Sequence, residues 1–254
     1  ALPISGSKCK SNQEQYDRYY GAAYAAALKK NIPNLENFMR NTNISEGLRA
    51  KMIDWMQEVF NYFRPESDDF TFFKAVTIMD LYIKNNQRQP NNKLQDSDVH
   101  LVGLTAIFIA SKYEDNRHIL IDQLIANACR GKFQVPTILA MEWEILLAIG
   151  FNTSIPTHIE CLDSILSGTF EDLNGEFFHQ IRFFALYLLK TCLYFSEMIM
   201  APMDMVSLAC AILSIHSNFD NEAIRLLSEK NQSIESITME KNTLVLLILL
   251  RLPR

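Results

Sequence analysis

The chain has 254 residues, of which 48% are hydrophobic and 21% are charged, and its formal net charge is −5. This balance is typical of a globular protein with a buried core, and the length suits one large domain or two ordinary ones. The acidic balance argues against a nucleic-acid-binding protein, because phosphate contacts require a basic surface. The longest uninterrupted apolar run, 244–250, is too short to span a bilayer. We therefore expect neither nucleic acid nor membrane among the partners.

The residues that most often carry chemistry form no recognisable arrangement in this sequence. The five cysteines are scattered, include no C-x-x-C pair, and are Cys9, Cys129, Cys161, Cys192 and Cys210. Their odd number argues against a disulfide framework and favours a reducing intracellular compartment, with the last four cysteines in the core. The five histidines show no metal-ligand spacing, and every glycine is isolated, so no phosphate loop exists. We predict no catalytic residue, no metal and no cofactor, and hence no enzyme.

Glycine and proline, eight of each, fall between segments of helical periodicity, which predicts an all-α protein with short connections. Residues 1–43 are expected to form an N-terminal extension with one helix, 12–30. Further helices are predicted at 45–63, 68–86, 98–115, 120–128, 136–149, 157–166, 174–195, 202–217, 221–229 and 234–250.

The helix at 98–115 is expected to be central, because its segment 101–110 carries Thr105 as its single polar side chain. A helix that is apolar on every side must be surrounded by other elements. The acids and serine at 96–98 are good N-cap residues, and Lys112 suits the negative end of the helix dipole. Small residues such as Gly103 and Ala106 allow neighbouring helices to approach closely.

A break at 151–157, which reads FNTSIPT, divides the chain into two similar halves. Segment 102–111, VGLTAIFIAS, resembles segment 206–215, VSLACAILSI, and each is the third of five predicted helices. This pattern predicts two tandem five-helix domains, 44–152 and 153–254. A chance match between two apolar helices is the alternative interpretation.

Four motifs occur in the first half, in a fixed order and spacing. They are LRAKMIDWMQEV at 48–59, AVTIMD at 75–80, LVGLTAIFIASKYED at 101–115, and Met141-Glu142 ahead of Ile149-Gly150-Phe151. Together they resemble the cyclin family, most closely its A- and B-type mitotic members. The resemblance implies two tandem cyclin boxes and a non-enzymatic subunit that activates a cyclin-dependent Ser/Thr kinase in the cell cycle.

The resemblance also implies roles for individual residues. Contacts to the kinase, beside its αC helix, are implied for Lys112, Tyr113, Glu142 and Phe151. A groove that receives substrate or inhibitor peptides of the Arg-x-Leu type is implied at Leu48, Met52, Trp55, Glu58 and His100. A buried structural ion pair is implied for Arg49 and Asp80.

Two positions depart from the family pattern at the groove. Lys51 stands where the family has isoleucine, and His100 stands where it usually has glutamine. A cation one helical turn from Leu48 and Trp55 would repel the arginine of a docking peptide. We therefore expect Lys51 to weaken Arg-x-Leu binding.

The same residues also have purely structural interpretations. Taken alone, Lys112 fits a solvated helix end, Glu142 a surface acid, and Trp55 a core position. The rival function is a transcription-factor-type cyclin fold that binds DNA or a polymerase, because one fold serves several functions. The acidic charge, the lack of a zinc ribbon and the Lys112/Glu142 combination count against this rival.

Overall fold

The computed structural model describes residues 32–39, 42–63, 69–86, 94–170 and 175–218. All regular elements in these ranges are helices. They are α1 (Glu46–Phe63), α2 (Phe70–Asn86), α3 (Val99–Glu114), α4 (Ile121–Gln123, continuing as a π-helical turn, Leu124–Ala128), α5 (Val135–Ala148), α6 (His158–Phe170), α7 (Gly175–Leu193), α8 (Ser196–Met200) and α9 (Met203–Asn218). The predicted helices 12–30, 221–229 and 234–250 lie outside the described residues. None of the described helices is both long enough and apolar enough to cross a bilayer.

Helix α3 is the central helix of the first half, as its sequence predicts. It packs against α1, α2, α5 and the π-helical turn, and its residues from Val102 to Ser111 are buried. Gly103 permits the closest of these approaches, because a Cβ added there would lie 2.7 Å from the Cε atom of Met52. Asp98 occupies the N-cap position of α3, as predicted, but its side chain does not cap the helix. The carboxylate of Asp98 accepts the backbone N–H of Gln95, 2.9 Å away, instead of capping the helix.

Helices α5 and α6 begin as the sequence predicts, and both are tied to their neighbours. Pro136 lies in the first turn of α5, where its missing N–H is tolerated. Asn85 of α2 donates a hydrogen bond from Nδ2 to the last carbonyl of α5, that of Ala148, at 2.8 Å. The α6 N-terminus is closed by Glu160, whose Oε2 atom accepts the backbone N–H of Thr157 at 2.7 Å. Helix α6 extends four residues beyond its predicted end at 166.

The second half has its own buried helix, α9, which packs against α6 and α7. Two buried hydroxyls on α9 fix these contacts: Ser207 donates to the carbonyl of His158 at 2.9 Å, and Ser214 to that of Ile181 at 2.7 Å. The short helix α8 was not predicted. The prediction that Cys129, Cys161, Cys192 and Cys210 are core residues is confirmed, since all four are buried free thiols. The division at 152/153 into two domains stays a prediction.

Two buried cations join the halves. The guanidinium of Arg49 on α1 donates from Nη1 to the carbonyl of Leu193, at the end of α7, over 2.7 Å. The ammonium of Lys74 on α2, which is 2% exposed, donates to the carbonyl of Ile155 ahead of α6 over 2.6 Å. Buried apolar side chains from Leu35 to Ile215 form one continuous cluster around these links.

Candidate kinase-contact face and peptide groove

The last turn of α3 carries a charged pair with α5. Lys112 donates from Nζ to Oε1 of Glu142, and the two residues form an ion pair. The ammonium also lies 4.2 Å from the ring centroid of Phe108, one turn back on α3. A cation held by a carboxylate and an aromatic ring has a defined position. The structure thus brings together two residues that lie thirty positions apart and for which the resemblance implies kinase contacts.

The chain leaves α3 through a turn that is fixed by hydrogen bonds. The carboxylate of Asp115 accepts the hydroxyl of Ser111 at 2.7 Å and that of Thr71, on α2, at 2.6 Å. The Ser111 hydroxyl in turn accepts the backbone N–H of Ile119 at 2.8 Å. These bonds hold the end of α3 and the start of the next loop in one arrangement. Sequence reasoning did not identify Thr71 as a partner of this turn.

Tyr113 follows Lys112 in α3 and is exposed, and its ring lies against the ammonium group of Lys74. The Lys74 ammonium lies 5.2 Å from the centroid of the Tyr113 ring and 3.1 Å from Oε1 of Glu114. Its second carboxylate neighbour, Glu160 of α6, is 3.8 Å away. Two acids and a carbonyl compensate the charge of this buried lysine.

Helix α5 presents large apolar side chains to solvent. Leu139, Trp143 and Leu147 recur at a spacing of four residues, and all are exposed, with Trp143 58% exposed. Of the residues of α5, the two that are buried are Ile138 and Ile145. Sequence reasoning missed these three exposed residues. The sequence did contain a signal for them, because α5 is apolar on two faces. A helix needs only one apolar face to pack against a core.

Phe151 stands at the end of α5 in a Schellman motif. The backbone N–H of Phe151 donates to the carbonyl of Leu146 at 2.7 Å, and that of Gly150 to the carbonyl of Leu147 at 3.1 Å. Gly150 and Phe151 both have left-handed backbones, with φ of 65° and 54°. Left-handed geometry is unfavourable for a bulky side chain. The Phe151 ring is 52% exposed and packs edge to face on Trp143, with centroids 5.5 Å apart.

We call the large exposed side chains at the end of α3 and along α5 the α3–α5 face. Its members are Tyr113, Leu139, Trp143, Leu147 and Phe151, and the Lys112–Glu142 pair joins the two helices that carry them. Contiguous exposed apolar side chains on a folded protein mark a binding surface. The charged pair within it adds orientation to that surface.

The residues of the implied peptide groove lie together on another side of α3. Trp55 on α1 and His100 on α3 pack edge to face with centroids 4.6 Å apart, and Leu48 is half-buried. Glu58 is exposed one turn further along α1. Met52, also implied as a groove residue, is only 6% exposed, because it fills the space left by Gly103. Met52 therefore supports the groove from beneath.

The structure also brings together the Arg49–Asp80 pair, which is bidentate and buried. Arg49 donates from Nε and Nη2 to the two carboxylate oxygens of Asp80, at 2.8 and 2.6 Å. Burial raises the pKa of Asp80, and the adjacent guanidinium opposes this shift. The Arg49 guanidinium also lies 5.2 Å from the centroid of the Phe38 ring.

Within the described ranges, no group of three His, Cys, Asp or Glu side chains is placed to hold a metal ion.

Comparisons with known proteins agree with the motifs. The cyclin N-terminal domain model matches residues 22–154. The chain is 38% identical over 115 residues to cyclin-B2-1 of Oryza sativa subsp. japonica, which covers 45% of the chain and 25% of the rice protein. It is 27% identical over 203 residues to cyclin-B2-2 of Arabidopsis thaliana, covering 74% and 44% of the two proteins. The matched segments thus span less than half of these relatives.

Two further matches agree with these. The chain is 30% identical over 133 residues to the G2/mitotic-specific cyclin-B3 of Drosophila melanogaster, covering 52% of the chain and 22% of the fly protein. The fold resembles that of a viral cyclin from herpesvirus saimiri, with a TM-score of 0.71 at 16% identity, over 92% of this chain and 96% of the viral one. The family model covers more than half of the 254 residues. The chain is therefore a member of the cyclin family.

Proposed function

We propose that this protein is a non-enzymatic, activating subunit of a cyclin-dependent Ser/Thr protein kinase, and that the α3–α5 face binds the kinase beside its αC helix. The observation that carries the proposal is the Lys112–Glu142 pair set among exposed aromatic and aliphatic side chains. Such a subunit would work where its kinase works, in the nucleus or the cytoplasm.

The arrangement of the face suits a specific protein partner. Trp143 and Phe151 already pack on each other, so part of the ordering cost of binding is met before the partner arrives. Glu142 is half-buried and holds Lys112 over the Phe108 ring. A charged pair inside an apolar contact rejects partners that lack matching polar groups, and so fixes the register of docking.

A partner of this kind activates a kinase by selecting one of its conformations. The kinase is active when its αC glutamate pairs with the lysine that holds the ATP phosphates. Shifting such an equilibrium from about 1:99 to 99:1 requires about 5.5 kcal/mol of preferential binding.

The test replaces both members of the charged pair. We expect Lys112→Ala/Glu142→Ala to abolish activation of a purified cyclin-dependent kinase, measured as phosphate transfer to a peptide substrate, while the helical circular dichroism is kept. A matched control is Arg182→Ala/Asp163→Ala, which removes a half-exposed ion pair with distances of 2.7 and 3.0 Å on α7 and α6. Wild-type activation by the first variant, or equal loss in both, would contradict the assignment.

The rival function, DNA or polymerase binding by a transcription-factor-type cyclin fold, has less support. The net charge of −5 disfavours a nucleic-acid surface. Recruitment of substrates through the groove is a second part of the proposed function.

A further inference from the structure

Three rings form a partly exposed shelf between α1, α3 and the loop that precedes α5. The Trp55 and His100 rings are 4.6 Å apart, and the His100 and Phe133 rings are 5.4 Å apart, all centroid to centroid. Each of the three residues is half-buried. We call this surface the aromatic shelf. A flat π surface of this size suits an aromatic or leucine side chain of a bound peptide.

The two ends of the aromatic shelf differ in charge. Helices α1 and α3 run antiparallel beneath it. Met52 lies against Gly103, and Trp55, further along α1, lies against His100, which is earlier on α3. Lys51 and Glu58 are both exposed and lie on opposite sides of Trp55. Seven helical residues separate them by about 10 Å along the axis. One end of the shelf is therefore cationic and the other is acidic.

A second lysine stands directly at the rings. Nζ of Lys132 lies 3.3 Å from Nδ1 of His100 and 5.1 Å from the centroid of the Phe133 ring. Burial, and secondarily the charge of Lys132, lower the pKa of His100, so the imidazole is neutral and accepts from the ammonium. An ammonium has three protons, and the imidazole engages one of them. Lys132 is exposed, and the remaining protons are available to a ligand.

No carboxylate in the described ranges forms an ion pair with Lys51 or Lys132. The ion pairs of these ranges use other cations, namely Arg49, Lys74, Lys112, Arg182 and Lys190. Arg130, exposed and two residues before Lys132, adds a further positive charge to the loop. Acids also lie near the shelf, but two of them engage other donors: Asp98 accepts the backbone N–H of Gln95 and the hydroxyl of Ser97, and Asp54 accepts the hydroxyl of Tyr194. The ammonium groups of Lys51 and Lys132 therefore suit an acidic ligand.

We propose that the aromatic shelf docks an extended peptide in which an aspartate or glutamate precedes an aromatic or leucine anchor. The anchor packs on Trp55, His100 and Phe133, and the carboxylate binds the ammonium groups of Lys132 and Lys51. This assignment rests on the proposed function, because the peptide would belong to a substrate or regulator of the bound kinase. It differs from the Arg-x-Leu expectation, since an arginine would meet two lysines.

The experiment measures fluorescence polarisation of three labelled ten-residue peptides with the full chain and no kinase. The peptides share a Phe-x-Leu anchor and differ at one preceding position, which is Glu, Gln or Arg. We expect the Glu peptide to bind about fivefold more tightly than the Gln peptide, and the Arg peptide to bind more weakly than both. Replacing the anchor Phe by Ala in the Glu peptide should abolish binding.

The protein variant Lys51→Gln/Lys132→Gln should remove the preference for Glu over Gln. Arg117→Gln, which removes a positive charge from an exposed loop after α3, is the control and should keep that preference. Equal affinities of the three peptides, a preference for Arg, or no binding at all would overturn the proposal. Because no kinase is present, these outcomes are independent of the activation test, which can succeed or fail separately.

Discussion

Trp143 and Phe151 meet edge to face, with ring centroids 5.5 Å apart, at the point where the backbone of Phe151 is left-handed. An unfavourable backbone that places a large ring in solvent has no structural benefit for an isolated chain, and such strain concentrates at functional positions. The relationship is explained if the two rings together serve a partner.

The first prediction concerns this strain. Phe151→Gly removes a side chain from a left-handed position, so we expect the free energy of unfolding to be unchanged or to rise by up to about 1 kcal/mol. Kinase affinity should fall at least tenfold. Thermal unfolding and calorimetric titration with the kinase measure the two quantities.

The matched control for Phe151→Gly is Gly150→Ala in the same turn. An added Cβ at Gly150 has no atom within 4 Å, but φ is 65°. We expect a loss of about 1 kcal/mol in stability with kinase affinity kept. Weaker kinase binding by the alanine variant would mean that the turn itself, and not the ring, makes the contact.

The second prediction concerns Trp143. Because its side chain is 58% exposed, Trp143→Ala should change stability little, while kinase binding should weaken by about 2 kcal/mol or more, as for a central aromatic residue of an interface. Phe183→Ala on α7, where the aromatic ring is 76% exposed, is the control and should leave affinity unchanged. Equal effects of the two substitutions would place the kinase elsewhere.

The third prediction concerns the Arg49–Asp80 pair. Arg49→Met leaves the Asp80 carboxylate buried without its partner, which should destabilise the fold by about 3 to 5 kcal/mol. Adding Asp80→Met removes the stranded charge, so the double variant should be more stable than the single one. Urea unfolding of the wild type, the two single variants and the double variant gives the coupling energy between the two side chains. Strict additivity would show that the pair is not coupled.

The fourth prediction concerns His158, which is buried and whose two ring nitrogens have no hydrogen-bond partner among the residues that the structure describes. Burial, together with the charge of Arg49, lowers its pKa from 6.5 to about 4. The unfolded chain therefore binds the proton more readily, and stability should be full above about pH 6.5 and decline as pH falls towards 4, by roughly 3 kcal/mol at most.

Measuring the free energy of unfolding from pH 7.5 to 4.5 tests whether stability falls on acidification. His158→Leu should flatten the dependence, whereas His179→Leu, at an exposed histidine on α7, should preserve it. A wild-type stability that rises as the solution is acidified would contradict the assignment.

The sequence predicted the described helices well, because periodicity and end signals are local properties. Ser45, for example, lies before α1 and accepts the N–H of Leu48 at 3.1 Å. The resemblance also led to Lys112 and Glu142, which the fold brings together. Asp98 was a good N-cap residue by type alone, but its carboxylate bonds backwards to Gln95, and residue type cannot decide between two nearby donors.

The remaining features depend on packing between elements distant in sequence. Whether Met52 or Trp55 faces outward depends on the size of the residue opposite, and Gly103 decides it for Met52. Lys132 became relevant because a turn with left-handed Arg130 and Gly131 places it at His100. Trp143 lies on an apolar face of α5 that the sequence does not distinguish from the core-facing one, which the structure shows to be that of Ile138 and Ile145.

The bond from Lys74 to the carbonyl of Ile155 has a consequence for how the protein can be dissected. A fragment that ended at residue 154 would keep this buried ammonium and lose its carbonyl and its neighbour Glu160. It would also deprive Arg49 of the Leu193 carbonyl. We therefore expect the segment matched by the family model to be unstable on its own, and the two halves to unfold cooperatively, as one unit.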